Sequence, residues 1–435
     1  VRKLKKDKSF VGAIGNIFLK FSNIGFRFMT TIVLAQVLGV IDFGTYSFFQ
    51  SLIVLITLPA VLGFEHLLVR EIAQNKSKNR YDLLKGILIR SNQIVFLSSV
   101  IVSILFLVFI YILNPIEKHP SYNEVVFIIV PIIVLLSLTK VRQAALQGLN
   151  EIVKGNLSER FIRPFIFLLL ITIVWVSTGD LTLKSSFIFY LISTLIAFLF
   201  GLYLLLNNIP RIVKETTPTF KTRDWMREAL PLVLVSGMRI VHDQIDIVIV
   251  GSLLGAEATS FYNISYKGAE LTMFMLIPIT AAYAPKMASL YIKNEMIKLQ
   301  KTVKSNSYYI FICTLPIALA LIVFNENFLS IFGEDFIEAK NILIILVIAQ
   351  LINACCGPSS QLLIYCNKTS MAANSLTVSV IINISLNFIL IPFMGLNGAA
   401  VSTFISILIW NILTVYYCIK YIKINPTIIH FKSLV

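Results

Sequence analysis

Charge is scarce in this 435-residue chain: Asp, Glu, Lys and Arg together make up 14% of it, against 57% hydrophobic residues. A soluble protein of this length carries about 25% charged residues, so composition excludes an ordinary soluble enzyme and indicates an integral membrane protein. Acids are scarcer still, 22 against 37 basic residues. The resulting net charge of +15 does not indicate nucleic acid, because the basic residues fall in short loops between apolar runs. Cysteine is sparse: Cys313, Cys355, Cys356, Cys366 and Cys418 lie in or beside apolar segments, with no C-x-x-C motif and no metal-ligand spacing. Ordinary buried thiols are expected, and no metal site. DxD, G-x-S-x-G and Walker motifs are also missing, so any transport step must draw its energy from a gradient or from the fate of its substrate.

What is present is a series of twelve apolar segments: 10–38, 43–64, 87–113, 123–140, 164–178, 185–208, 231–254, 260–284, 307–331, 341–363, 371–392 and 399–419. Each can cross about 30 Å of hydrocarbon as a helix, the fifth being the shortest. Their hydrophobicity is continuous rather than alternating, which argues against strands. The basic start VRKLKKDKSF leads into a stretch holding Asn16, Lys20, Asn23 and Arg27, which reads as a retained first span rather than a signal peptide. With the N-terminus inside, thirty Lys and Arg fall in inside segments and three (Lys118, Lys184, Lys340) outside, so both termini are expected to be cytoplasmic.

The seventh segment, PLVLVSGMRIVHDQIDIVIVGSLL at 231–254, carries Arg239, His242, Asp243 and Asp246 at i, i+3, i+4 and i+7, one face of a helix. An ionisable side chain at the bilayer centre costs about 2.5–3.5 kcal/mol even on a lenient scale, so this face must look into protein or water. The chain also repeats itself. LGVIDFGTYS (38–47) aligns with LGAEATSFYN (254–263) at an offset of 216, and LQGLNE (146–151) with LIYCNK (363–368) at 217. Applied to the first span, whose polar residues are Asn16, Lys20, Asn23, Arg27 and Thr30, the offset of 216 puts Asn23 on Arg239, Arg27 on Asp243 and Thr30 on Asp246. Spans one and seven are therefore expected to line one central cavity from opposite sides, with Lys267 and Glu270 of span eight beside them.

The expected fold is an all-α integral membrane protein of twelve transmembrane helices in two six-helix lobes, related by a pseudo-twofold along the membrane normal. The expected boundaries are 1–208 for the N-lobe, 209–230 for a cytoplasmic linker and 231–435 for the C-lobe. Phe220, Trp225, Lys221, Arg223 and Arg227 suggest an interfacial helix within the linker. Glu65, His66, Arg70 and Glu71 read as a helix-end salt-bridge cluster or gate.

Two stretches resemble a known family. LGVIDFGTYSFFQSLIVLITLPAVLGFEHLLVREIAQ (38–74) and SVIINISLNFILIPFMGLNGAAVSTFIS (379–406) are similar to bacterial polysaccharide-biosynthesis flippases of the Wzx type. These belong to the multidrug/oligosaccharidyl-lipid/polysaccharide exporter superfamily, with the MATE drug exporters and the lipid II flippase. The resemblance implies a MATE-like fold and a flippase, not an enzyme. Its cargo would be an undecaprenyl-diphosphate-linked oligosaccharide (an O-antigen, capsule or related repeat unit), moved to the outer leaflet of a bacterial inner membrane by alternating access. Partners would be that substrate, membrane lipids, and a polymerase or chain-length regulator, with no nucleic acid. No cofactor is expected beyond a coupling ion, H+ or Na+.

On this reading Lys20, Arg27, Arg239 and Lys267 offer counter-charges to the diphosphate, Arg with forked hydrogen bonds. Asn16 and Asn23, and also Asn383 and Asn387, can hydrogen-bond sugar hydroxyls. Asp243, Asp246 and Glu270, with His242 able to titrate, are candidates for coupling and gating. Other readings stay open: an ion-pair network that only holds helices together, a MATE-type exporter of small cations, or a polytopic O-antigen polymerase or ligase. The exporter predicts acids in the N-lobe cavity, where Lys20 and Arg27 stand instead. The enzyme predicts a sizeable outer loop with a catalytic constellation, and the outer loops here are short.

Overall fold

Two glycines set the pattern of the backbone. In a computed structural model, which describes residues 2–113 and 122–428, the first helix runs as α1 (Arg2–Val61) and is broken at Gly39, with φ 71° and ψ 179°. At the offset of 216, α9 (Thr222–Thr272) is broken in the same way at Gly255, with φ 88° and ψ −171°. This backbone region is essentially closed to any residue with a Cβ, so glycine there is a requirement of the break. Side chains are described from residue 15 onward, apart from 113, 122–123, 178, 234–236 and 277. Lys118, Lys432 and the side chains of Arg2, Lys3, Lys5, Lys6 and Lys8, all used in the loop tally, lie outside the described residues.

Every regular element among the described residues is helical. After α1 come α2 (Phe64–Ser77), α3 (Tyr81–Leu113), α4 (Tyr122–Gly148), α5 (Ile152–Leu157), a π-helical turn (Ser158–Ile162), α6 (Arg163–Thr178), α7 (Leu183–Asn208) and the short α8 (Arg211–Glu215). Beyond α9 follow α10 (Leu276–Ile292), α11 (Met296–Val323), α12 (Asn325–Ser330) and a 3-10 turn (Glu334–Ala339). The chain continues with α13 (Lys340–Cys355), α14 (Ser359–Tyr365), α15 (Thr369–Met394) and α16 (Leu396–Tyr417), which ends in a second π-helical turn (Cys418–Ile422).

The duplication is visible in where the backbone turns left-handed. Besides Gly39 and Gly255, positive φ recurs at Asn79 and Asn294, at Asn150 and Asn367, and at Gly179 and Gly395. The separations are 215, 217 and 216 residues. Glycine and asparagine are the residues that tolerate this conformation best. Thus each half reverses its chain at equivalent points.

Nine of the described helices are long and apolar enough to cross a membrane, or ten if the pair Glu334–Cys355 and Ser359–Tyr365, bent by 41°, is one crossing. The stretch Gly15–Val61 has 47 residues; unbroken, it would reach about 70 Å, more than twice the hydrocarbon thickness of about 30 Å. The outward faces are apolar: on α3 alone Phe96, Leu97, Ile101, Ile104, Leu105, Val108 and Phe109 are exposed. Serine, threonine, asparagine and Asp246 are among the buried residues. Such an inside-out distribution fits a chain whose surroundings are lipid, and the protein is an all-α, multi-pass membrane protein.

Backbone packing divides the chain into two units, Val1–Ile240 and Val241–Val435, with α9 running from one into the other. In the first, α1 packs on α3, α4 and α6, and α4 packs on α7. Its core gathers Phe64, Leu67, Leu68, Ile72, Leu84, Val141, Leu149 and Trp225. In the second, α13 packs on α11 and α16, and α15 on α16; Leu299, Val303, Leu362, Leu363, Cys366 and Cys418 are buried together. All five cysteines are free thiols.

The segment 209–230 belongs to the first unit's packing. Lys85 Nζ donates to the carbonyls of Lys214 at 2.7 Å and Thr216 at 2.9 Å. The Thr219 amide donates to Asp82 O at 3.1 Å, and the Arg90 guanidinium lies 4.7 Å from the Phe220 ring centroid. Trp225, expected at an interface, is instead buried in the core at 3% exposure. Nearby, Arg70 pairs with Glu228 and contacts Glu71, while Glu65 lies 3.7 Å from Lys140, giving the helix-end ion-pair cluster.

Gly86 is the contact point of this strap: a Cβ there would stand 1.9 Å from the Thr219 carbonyl oxygen. Gly86→Ala is therefore expected to lower the stability of the purified protein by roughly 1–3 kcal/mol, as overpacking does. Gly25→Ala, where a Cβ meets nothing within 4 Å, should be neutral or stabilising. Thermal unfolding in detergent distinguishes the two, and equal stability of Gly86→Ala and the wild type would contradict the strap.

Candidate functional site

Among the described residues, polar groups cluster inside the helices of each unit. In the second unit the centre is Asp246 on α9, 5% exposed. The Tyr262 hydroxyl donates to its Oδ2 at 3.0 Å, Thr403 Oγ1 donates to the same oxygen at 2.7 Å, and Asn387 Nδ2 donates to Oδ1 at 2.6 Å. Asn387 also donates to Asn383 Oδ1 at 3.3 Å, and Ser379 donates to the Ser406 carbonyl at 2.7 Å. A hydrogen bond to a charged group contributes roughly 1.5–3 kcal/mol, so three donors go far to offset the desolvation of one carboxylate. The Asn387 Oδ1 acceptor is buried with no hydrogen-bond partner among the described residues. Donors from Tyr262, Thr403 and Asn387 thus converge on the one carboxylate of Asp246.

In the first unit the cluster is cationic. Lys20 and Arg27 lie on the first half of α1, Lys20 half-buried and Arg27 exposed. Across from them, Arg163 at the start of α6 pairs with Glu159 at 3.1 Å, both side chains being 13–14% exposed. Arg163 lies 5.8 Å from the Tyr190 ring centroid, and Gln50 Nε2 donates to the Tyr190 hydroxyl at 3.2 Å. Arg27 and Arg163 are both within electrostatic reach of Tyr46. Among the described residues neither Lys20 nor Arg27 makes a side-chain hydrogen bond or ion pair.

Subtracting 216 from the members of the second cluster shows how far the two halves have parted. Asp246, Tyr262, Asn383, Asn387 and Thr403 correspond to Thr30, Tyr46, Phe167, Ile171 and Phe187. In the first unit these positions pack as a core: Tyr46 stacks on Phe167 with centroids 6.4 Å apart and meets Phe187 at 5.1 Å. The tyrosine is common to both. Around it, aromatic packing in one half is replaced by a hydrogen-bonded carboxylate in the other.

The residues singled out from sequence fall into three groups. Asp246 is the buried centre just described, while its stripe-mates differ in surroundings: His242 and Asp243 are half-buried, Arg239 is exposed, and His242 lies edge-on to Trp410 at 5.7 Å. On the second half of α9, Lys267 is half-buried and Glu270 exposed. The asparagines differ from expectation. Asn383 and Asn387 are 2% and 0% exposed and turned to Asp246, so they are engaged with protein rather than open to sugar hydroxyls. Asn16 Oδ1 accepts from Asn156 Nδ2 at 2.8 Å and from Arg160 Nη1 at 3.3 Å, and Asn23 Nδ2 donates to the Arg160 carbonyl at 3.1 Å.

By hydropathy, span five starts at 164 and Arg160 and Arg163 fall in the cytoplasmic loop before it. The helix in fact begins at Ile152, so both arginines sit within a span-length helix, Ile152–Ser177. Glu159, Arg160 and Arg163 depress the local hydropathy and hid its first turns. Tyr262 and Thr403, which complete the Asp246 cluster, carried no spacing signal, being 16 and 157 residues away in sequence.

Comparison with known proteins agrees with this architecture. The Probable low-salt glycan biosynthesis flippase Agl15 of Haloferax volcanii is 24% identical over 423 residues, covering 95% of this chain and 83% of that protein. The Teichuronic acid biosynthesis protein TuaB of Bacillus subtilis is 24% identical over 130 residues, 29% of this chain and 26% of that one. An inward-facing multidrug resistance MATE family transporter of the MOP superfamily superposes with a TM-score of 0.77 at 14% identity, covering 92% of this chain and 94% of that chain. The lipid II flippase MurJ superposes with a TM-score of 0.72 at 16% identity, covering 94% and 87%. These structures show the fold. Residues 231–389 match the MatE family and residues 11–291, more than half of the chain, match the family described as Polysaccharide biosynthesis protein. The chain has the fold of the MATE transporters and MurJ, and it belongs to the polysaccharide biosynthesis protein family.

Proposed function

We propose that this protein is a flippase for a lipid-linked glycan, carrying an undecaprenyl-diphosphate-linked oligosaccharide from the cytoplasmic to the outer leaflet by alternating access. The observation that carries the reading is the cationic face of the first unit, where Lys20 and Arg27 stand within a membrane span without a carboxylate partner among the described residues. A diphosphate is a compact anion that cannot cross hydrocarbon unaided, and such a face supplies its counter-charges. The glycan-flippase name of the Haloferax volcanii relative supports the cargo class. Counting the helices broken at Gly39 and Gly255 as two crossings each, and the bent pair as one, supports twelve crossings in two lobes. The lobes are 1–208 and 231–435, joined by 209–230, with both termini cytoplasmic.

The labour divides between the clusters. Lys20 and Arg27 take the diphosphate. Asp246, with Asp243, Glu270 and His242 nearby in sequence, couples movement to H+ or Na+. A proton or cation arriving at Asp246 replaces the hydrogen bonds from Tyr262, Thr403 and Asn387, which loosens α9 from α15 and α16 and shifts the balance between two packings. The MatE match over 231–389 favours a second reading, export of a small organic cation. That reading needs an acidic first-unit site, and the cationic one stands against it.

Two outcomes follow. In a strain lacking the protein, with an identified repeat unit, the lipid-linked oligosaccharide should accumulate in the inner leaflet; the wild type should relieve this and Arg27→Glu should not. Delivery to the outer leaflet without the protein would contradict the proposal. In proteoliposomes, Asp246→Asn should remove the stimulation of transport by an ion gradient, an effect of about tenfold on the scale of ordinary coupling energies. Transport that ignores both this substitution and collapse of the gradients would rule out coupling at Asp246.

A further inference from the structure

The π-helical turn Ser158–Ile162 interrupts the helix that begins at Ile152, about two turns from its start. A π-turn shifts the backbone ladder from i+4 to i+5 and occurs often at functional sites. Here it is held from two other helices. Asn23 of α1 donates to the Arg160 carbonyl at 3.1 Å, and Asn16 of α1 accepts from the Arg160 guanidinium at 3.3 Å. Asn156, itself bonded to Asn16, accepts from Gln143 at 2.7 Å and Gln147 at 3.1 Å, both on α4. Gly201 of α7 leaves the room the turn occupies: a Cβ there would meet Ser158 Oγ at 3.1 Å.

The carboxylate of the turn, Glu159, is committed to Arg163. That leaves Arg160, which is bonded to Asn16 and Asn23 and so packs against the α1 face that carries Lys20 between them, within electrostatic reach of the Lys20 ammonium. Among the described residues neither is paired with an acid. Two like charges in a partly buried place repel more strongly than in water, and an anion between them removes the repulsion. Asn16 engages one guanidinium nitrogen, and the other donors, with the three of the Lys20 ammonium, remain for phosphoryl oxygens.

We propose that Arg160 and Lys20 form a subsite for the phosphoryl oxygens of the cargo's diphosphate, with Asn16 and Asn23 as positioning residues that hold the π-turn and aim the guanidinium. This rests on the diphosphate reading above and adds to it a binding residue from another helix, so that the anion is gripped from α1 and from the turn before α6. Arg160 gives directionality and Lys20 gives charge. Asn23 contributes no charge at all, which separates geometry from electrostatics.

The test is binding to the purified full-length protein in detergent, with inorganic pyrophosphate, farnesyl diphosphate and farnesol as probes, read by titration calorimetry and ligand-induced thermal stabilisation. The wild type should bind both diphosphates and not farnesol; pyrophosphate without farnesyl diphosphate would mean a free anion rather than a lipid headgroup, and would overturn the subsite. Arg160→Gln should weaken binding about 10- to 100-fold, the range for a lost charged hydrogen bond, and should flatten its salt dependence. Arg160→Lys should recover part of the affinity. Asn23→Leu should weaken binding while keeping the wild-type salt dependence, a pattern loss of charge does not give. Lys154→Gln, on the same helix but paired with Glu151 at 3.2 Å, should bind as the wild type does. If Arg160→Gln and Arg160→Lys bind normally while Lys20→Gln and Arg27→Gln do not, the subsite is wrong and the diphosphate reading stands. If all four bind normally, or the wild type binds neither diphosphate, both fall.

Discussion

A charged or polar side chain among helices that face lipid has no water to turn to, and its partners have to come from neighbouring helices. Both polar clusters are organised by that constraint, with opposite signs. In the second unit a single carboxylate, Asp246, draws donors from three separate places in the chain: Tyr262, Asn387 and Thr403. In the first unit an excess of cations has partly satisfied itself, Arg163 with Glu159 and Arg160 with Asn16. Lys20 and Arg27 have no acidic partner among the described residues, and on the proposed reading they meet the anion of the cargo. On the proposed reading the two clusters serve different tasks, ion coupling and anion binding.

This difference grew on a common backbone. Positive-φ glycines and asparagines recur at separations of 215 to 217 residues and reverse the chain at equivalent points in each half. On that frame the side chains diverged. Tyr46 and Tyr262 occupy equivalent positions, one packed among Phe167 and Phe187, the other donating to Asp246. Where the first half has Phe167, Ile171 and Phe187, the second has Asn383, Asn387 and Thr403 around a buried acid. In the first half the π-turn Ser158–Ile162 is bonded to Asn16 and Asn23 of α1 through Arg160. The equivalent helix α15 runs through the same register with Ser375, Leu376 and Ser379 in place of Glu159, Arg160 and Arg163.

Much of this was legible in the sequence, and for physical reasons. Continuous hydrophobicity reports lipid exposure, so most spans could be read directly. The repeat could be read from its loops because left-handed backbone admits few residue types, and Leu-Gly at 38–39 and 254–255 marks two such points. Asp246 stood out because an acid in an apolar run is costly anywhere. What could not be read was what the polar residues touch. Asn23 looks like a sugar ligand by composition, yet it closes a backbone carbonyl 137 residues away. Arg160 looks like a loop charge, because a helix that starts with polar residues is invisible to a hydropathy window. The partners of Asp246 are scattered over 157 residues, and no periodicity within one helix encodes contacts among α9, α15 and α16.

The central claim is that the protein moves its cargo by recognising the diphosphate. The most direct measurement is leaflet-resolved translocation in proteoliposomes, comparing one short oligosaccharide on a polyprenyl diphosphate with the same oligosaccharide on an uncharged lipid. The account predicts protein-dependent movement of the diphosphate form and background movement of the neutral one. Equal translocation of the two would contradict it.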